Sequence, residues 1–298
     1  MIKVFDAQDK MKRIYRQPQK SIYTHRFLED LSSGYSFVLG ERSEKRDFFA
    51  FDPEDCYAAN LLRGKHHNDL SYEIERLIDA VTYSLLTFDR AYVILKPQYA
   101  NDHDINSGTK TISEIKLYEI KGFPDRCVNS NIKFIYSINN NVKEMDIQRD
   151  QLIEFDIKEL GFKNKYFRNI LKKLEKCDIT LADSSLISND VSGYDYLVHS
   201  NECKLKELKA LKGVGWTFGN QGLSDSYILY KKIQGDKLKL KLLDYILDKL
   251  NCGLESFLGN PGGKLVARKK TLDYDQLWRE YSDGKVTGTE LTSILYDI

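Results

Sequence analysis

Ser71-Tyr72-Glu73-Ile74-Glu75-Arg76-Leu77-Ile78-Asp79-Ala80-Val81-Thr82-Tyr83-Ser84-Leu85-Leu86-Thr87-Phe88 runs straight into Asp89-Arg90-Ala91-Tyr92-Val93-Ile94-Leu95, and the fold class turns on this junction. Ile74, Leu77, Ile78, Val81, Leu85 and Leu86 recur at the spacing of one helix face, so an amphipathic helix is predicted over 72–88. Ser71 stands at the N-cap position, and Glu73 and Glu75 suit the positive end of the helix dipole. Ala91 to Leu95 is rich in β-forming residues and reads as a strand that ends at Lys96-Pro97.

Working outward, 112–120, 132–138 and 151–157 read as strands, and Asn139-Asn140-Asn141 marks a hairpin tip. Upstream, Tyr35 to Gly40 and Asp47 to Phe51 read as strands joined through the charged tip Glu41 to Arg46, with a break at Asp52-Pro53. A second amphipathic helix is predicted over 164–176, with Tyr166, Phe167, Ile170, Leu171 and Leu174 on its apolar stripe. The Ser- and Asp-rich stretch 181–200 looks like a boundary. Lys204 to Leu211 suggests a short helix leading to the glycine-rich run Gly213 to Gly222. From Ser224 onward the pattern is helical, with Leu238, Leu240, Leu242, Leu243, Ile246, Leu247 and Leu250 forming a wide apolar face.

The expected architecture is therefore α+β. A mixed α/β body with a small antiparallel or mixed sheet (1–180) is followed by a boundary and glycine-rich hinge (181–223), then an all-helical C-terminal block (224–298).

At 298 residues the chain has ample material for a buried core. Lys and Arg number 45 against 44 Asp and Glu, a net charge of +1, so global charge steers it toward neither nucleic acid nor membrane. Five cysteines, an odd number with no C-x-x-C pair, argue against a disulfide framework or a zinc ribbon and for reduced thiols in a cytoplasm. Met1 to Asp6 lacks a basic stretch followed by an apolar run, so no signal peptide is expected. No apolar stretch approaches the roughly 20 residues of a membrane span.

Asp283-Gly284-Lys285-Val286-Thr287-Gly288-Thr289-Glu290 resembles the second half of an EF-hand loop, with Gly284 at the turn and Glu290 at the last ligand position. Arg279 and Tyr281 occupy the first and third ligand positions, where a hard cation needs oxygen. The stretch therefore predicts a tight corner between two helices, packed through Trp278, Leu291, Ile294 and Leu295.

A catalytic reading rests on Asp104, Glu114 and Lys116. An acidic residue upstream of a strand carrying Glu-x-Lys resembles the PD-(D/E)xK nuclease pattern, in which carboxylates hold Mg²⁺ and the lysine assists water. On a strand Glu114 and Lys116 share a face. The proline before the acid is missing, and Glu119-Ile120-Lys121 offers the same spacing. A solvated strand face with a cross-charge pair accounts for the same residues.

The histidines show no metal-binding spacing, no G-x-S-x-G elbow is present, and neither Gly222-Leu223 nor Gly263-Lys264-Leu265 completes a Walker loop. Basic clusters at Lys12, Arg13 and Arg16, at Lys165, Arg168, Lys172 and Lys173, and at Arg268 and Lys269 are candidate nucleic-acid contacts. Solvated lysines on helices explain them equally.

The order of helix 72–88, strand Arg90 to Leu95, strands 112–120 and 132–138, Asp150 to Phe155 and helix 164–176 resembles the wing of phage portal proteins. That resemblance implies an assembly role in a phage or mobile element and carries no functional residue with it. The expected function is a non-catalytic cytoplasmic interaction or assembly protein without a cofactor. It would self-associate or bind a protein partner through 224–298, with nucleic acid as a second candidate partner. The alternatives are a Mg²⁺-dependent nuclease of the PD-(D/E)xK type and a nucleic-acid-binding module without chemistry.

Overall fold

In a computed structural model, residues 2–16, 21–33, 48–63, 69–99, 112–128, 130–138, 141–175, 196–211, 213–216, 224–268 and 272–296 are described. Among them the chain runs α1 (Ile2–Ile14), α2 (Ile22–Ser32), β1 (Phe49–Asp52), α3 (Tyr57–Arg63), α4 (Leu70–Phe88), β2 (Arg90–Tyr99), β3 (Ile112–Glu119), β4 (Gly122–Val128), β5 (Asn131–Ile138), β6 (Asn141–Gln148), β7 (Leu152–Asp156), α5 (Tyr166–Leu174), α6 (Tyr196–Ala210), α7 (Asp225–Leu258), β8 (Lys264–Ala267), α8 (Tyr274–Ser282) and α9 (Gly288–Tyr296).

The helix 72–88 expected from its apolar period is α4, and Ile74, Leu77, Ile78, Val81, Leu85 and Leu86 are all buried. Its cap differs from expectation. Asp69 receives the Tyr72 amide at 3.2 Å, while the buried Ser71 hydroxyl accepts the amide of Phe49 at 3.0 Å and so ties β1 to the helix. At the other end Asp89 adopts a left-handed conformation (φ 66°) and returns its amide to Leu85, which turns the chain directly into β2.

β2 is the middle strand of an antiparallel sheet ordered β3-β2-β7. Strand side chains alternate between faces, and here both faces are covered. Ala91, Val93 and Leu95 join Ile153 and Phe155 of β7 in the main core with α4 and α7. Tyr92 and Ile94 join Leu152 in a second cluster, against Ile132, Phe134 and Ile147 of an outer antiparallel sheet ordered β4-β5-β6. The Tyr92 and Phe134 rings meet edge-on at 5.3 Å. The outer sheet turns Phe123 and Ile135 the other way, onto Ala7 and Met11 of α1. The result is a layered α+β fold of helices, central sheet, outer sheet and α1.

β2 also continues past the expected stop at Pro97. β7 pairs only as far as Ile94, so the missing Pro97 N–H costs no ladder bond on that side, while Pro97 still lies opposite Ile115 of β3.

The C-terminal block is helical apart from one departure. Lys264–Ala267 is a strand, paired antiparallel with Phe49–Asp52. The hairpin expected between Tyr35–Gly40 and Asp47–Phe51 has its first arm outside the described residues, and the partner of its second arm is β8. The wide apolar face of α7 is occupied by the chain itself: Leu238, Leu242, Leu243, Ile246, Leu247 and Leu250 are buried in the main core. Surplus apolar area on 238–250 therefore gives no support to self-association there. The glycine-rich run begins as a close backbone contact with α7. A Cβ on Gly215 would stand 2.3 Å from the Gly235 amide nitrogen, and Val214 and Trp216 on either side are buried.

Phe134→Ala should lower unfolding stability by about 3–5 kcal/mol, because the two sheets lose the ring between them. Ile138→Ala, at the exposed end of the same strand, should stay within about 0.5 kcal/mol. Urea unfolding of the two variants checks the layer order.

Candidate functional site

The C-terminal corner is built from local rules. Asp273 caps α8 by accepting the amides of Asp275 and Gln276 at 3.0 and 2.9 Å. The helix ends at Asp283-Gly284, where Gly284 takes the left-handed conformation (φ 73°) that favours glycine. Thr287 opens α9 reciprocally: its hydroxyl accepts the Glu290 amide at 3.2 Å, and the Glu290 carboxylate accepts from the Thr287 amide and hydroxyl, both at 2.8 Å. These bonds hold the Glu290 carboxyl below its usual range. Glu290 is therefore the partner in a capping box, and the EF-hand-like spacing encodes the expected helical corner.

The hairpin packs Tyr274, Leu277, Leu291 and Leu295 onto Leu229 and Ile233 of α7. Against that seam, partly buried, lies a run of rings. Tyr230 on α7 meets Trp278 at 5.2 Å, Trp278 meets Tyr281 at 5.3 Å, and the Tyr281 hydroxyl bonds Ser226 at 2.7 Å. Tyr230 is 36% exposed. The hairpin sequence carries Asp273, Asp275, Glu280, Asp283 and Glu290 against Arg279 and Lys285, and α7 adds Lys237, paired with Asp275, and Lys232, over the Tyr296 ring. The surface offers π faces and negative charge together, a combination suited to apolar and cationic groups.

The sequence-predicted residues are distributed elsewhere. Glu114 and Lys116 share the face of β3 that also carries Tyr118, as strand alternation requires, and form a 3.7 Å ion pair. Gln98, directly opposite Glu114 on β2, satisfies both when its amide nitrogen faces Glu114 (3.1 Å) and its oxygen faces Lys116 (3.3 Å). Asp104 lies outside the described residues. Lys12, Arg13 and Arg16 are exposed at the end of α1. Lys165, Lys172 and Lys173 are exposed at α5. Arg168 is half-buried and acts electrostatically on Asp89, whose carboxyl is raised by burial against the pull of that guanidinium. Arg268 pairs with Glu54, and Lys269 lies outside the described residues.

One cluster escaped sequence reasoning. Between α2, α4 and α7, Lys239 donates to the Ser33 carbonyl at 3.0 Å, Lys232 donates to both oxygens of Asp236 at 2.7 Å, and the indole of Trp216 donates to Asp30 at 2.7 Å. Asp79 stands in the same group. Burial pushes its carboxyl up to about 7, Glu75 one turn earlier adds to the rise, and Lys239 opposes it. Burial likewise lowers the Lys239 ammonium, with Asp236 opposing. The sequence signal was present in the like-charged Glu75/Asp79 pair at i,i+4, an arrangement that destabilises an isolated helix. Lys239 ties α7 to the end of α2 through the Ser33 carbonyl, while Asp79 Oδ1 is buried without a hydrogen-bond partner.

No known family model matches the chain, and no curated protein matches it.

The half-buried Asp79 gives a pH test. Unfolded, it releases its proton near the ordinary value of about 3.9; folded, it holds the proton up to about 7. The native state thus binds more protons across that window, so this group's contribution to stability falls as pH rises from about 4 to 7. Asp79→Asn should flatten that slope and raise the melting temperature at pH 8 relative to wild type. An unchanged slope in thermal scans from pH 4 to 8 would remove Asp79 as its source.

Proposed function

We propose that this chain is a non-catalytic interaction or assembly protein of the cytoplasm. It engages a protein partner, a second copy of itself included, through the C-terminal helical block. The observation that carries this reading is the ring ladder Tyr230–Trp278–Tyr281, partly exposed where the C-terminal hairpin meets α7. Tyr and Trp are the residues that most often anchor protein interfaces, because they bring large contact area at small conformational cost. The portal-wing order of elements favours self-association and a phage or mobile-element origin. Among the described residues no helix is long and apolar enough to cross a membrane.

The competing reading is a Mg²⁺-dependent nuclease, supported by the shared face of Glu114 and Lys116. Mg²⁺-dependent cleavage of plasmid that Glu114→Ala abolishes would put it in place of the interaction reading.

Light scattering at micromolar concentration tests the interaction directly. Wild type should associate. Tyr230→Ala and Trp278→Ala should each weaken association by about 2 kcal/mol or more, roughly 30-fold in dissociation constant, with helical content retained by circular dichroism. A strict monomer, with no partner whose capture depends on Trp278, would overturn the proposal.

A further inference from the structure

The acidic ring ladder has a complementary surface at the other end of the chain. Residues 10–16, Lys-Met-Lys-Arg-Ile-Tyr-Arg, carry four cations and no carboxylate. Met11 is buried, and Ile14 and Tyr15 pack beside it in the cluster that joins α1 to the outer sheet. Lys12, Arg13 and Arg16 are exposed, and Lys10 lies over the Phe123 ring at 4.1 Å. Cations in the last turn of a helix answer its dipole, which accounts for Lys12 and Arg13; Arg16 lies beyond the helix end.

We infer that the hairpin of one copy docks the basic end of α1 on a second copy, giving a head-to-tail contact; this rests on the proposed interaction role of the C-terminal block. Three observations favour a second copy over a different protein. The two surfaces are opposite in sign. They are held on different supports within one chain, α1 on the outer sheet and the hairpin on α7. The net charge of +1 leaves little repulsion between copies to oppose the local attraction.

Cations are attracted to aromatic rings, and the exposed part of the ladder includes Tyr230, 36% exposed. The cations already at the hairpin do not close the site. The Lys237–Asp275 and Lys285–Asp283 pairs are exposed, and exposed pairs exchange at little cost. Because the two patches differ, the contact is heterologous, and repeated copies close into a ring or extend as a filament.

Sedimentation velocity in 50 mM and 500 mM salt, with charge-swapped full-length chains, decides the matter. Association should be strong in low salt and fall at least tenfold in high salt. Lys12→Glu with Arg16→Glu, and separately Glu280→Lys with Asp283→Lys, should each reduce self-association at least tenfold. Mixing the two variants should restore association, because each then offers what the other lacks; that rescue also excludes misfolding as the cause of loss.

Association by both variants at the wild-type level would overturn the inference. The interaction role would still stand if Tyr230→Ala with Trp278→Ala abolished that association, and would fall with the inference if it did not. A wild type that stays monomeric in low salt would overturn the inference as well. So would a mixture that fails to associate while Lys12→Glu with Arg16→Glu loses binding to a fluorescent single-stranded DNA, which would make nucleic acid the partner of α1.

Discussion

β2 is buried on both faces, and its alternation assigns each layer of the molecule to one side or the other. Ala91, Val93 and Leu95 draw α4 and α7 against the central sheet, while Tyr92 and Ile94 hold the outer sheet through Phe134. A one-residue slip in the pairing of β2 would exchange these sets, placing the Tyr92 hydroxyl in the helix core and Val93 against the outer sheet. The register is closed at the start of the strand. Asp89 ends α4 in a left-handed turn, and Asp89 also accepts the Ile157 amide at 3.0 Å, fixing where β7 stops. Helix end, strand start and sheet edge are therefore set within a few residues.

The legible parts of the fold were those where one period dominates. The stripe of α4 and the apolar face of α7 were readable because each repeats over several turns with one buried side, and β2 because Ala91 to Leu95 is an unbroken run buried on both faces. Of the parts that escaped, β4 pairs with β5, the next strand in the chain, while others depend on distant partners. β8 offers only four residues, and its mate lies more than two hundred positions earlier, so no local pattern separates it from a loop. Ser71 looked like a cap because its spacing to the helix was right; the Phe49 amide claimed its hydroxyl instead, and Asp69 took the cap. Pro97 failed as a stop because β7 is shorter than β2, a fact about a neighbouring strand.

The same contrast governs the sites. The corner at Asp283-Gly284 was readable because a glycine turn and a Thr-x-x-Glu capping box are both local devices. The ring ladder was not, since Tyr230 and Trp278 lie on separate helices and meet only after the hairpin folds onto α7. The Asp79 and Lys239 group was hidden for the same reason, with α2, α4 and α7 each contributing a charge. That group is partly buried, with Asp79 Oδ1 left without a hydrogen-bond partner, whereas Asp273 and Glu290 of the hairpin cap its helices and Lys12, Arg13 and Arg16 at the α1 terminus are exposed. The hairpin is set apart by its rings, since Tyr230, Trp278 and Tyr281 meet at the junction with α7.

The two tryptophans make this measurable in one spectrum. Trp216 is buried and bonded to Asp30, so it serves as a shielded reference, while Trp278 reports the ladder. Quenching of fluorescence by neutral acrylamide across a dilution series at low salt, in wild type and in Trp278→Phe, reads its exposure. Protection of Trp278 that grows with protein concentration is the expected result. Quenching that stays constant across the series, at full accessibility, would contradict an interface at the hairpin.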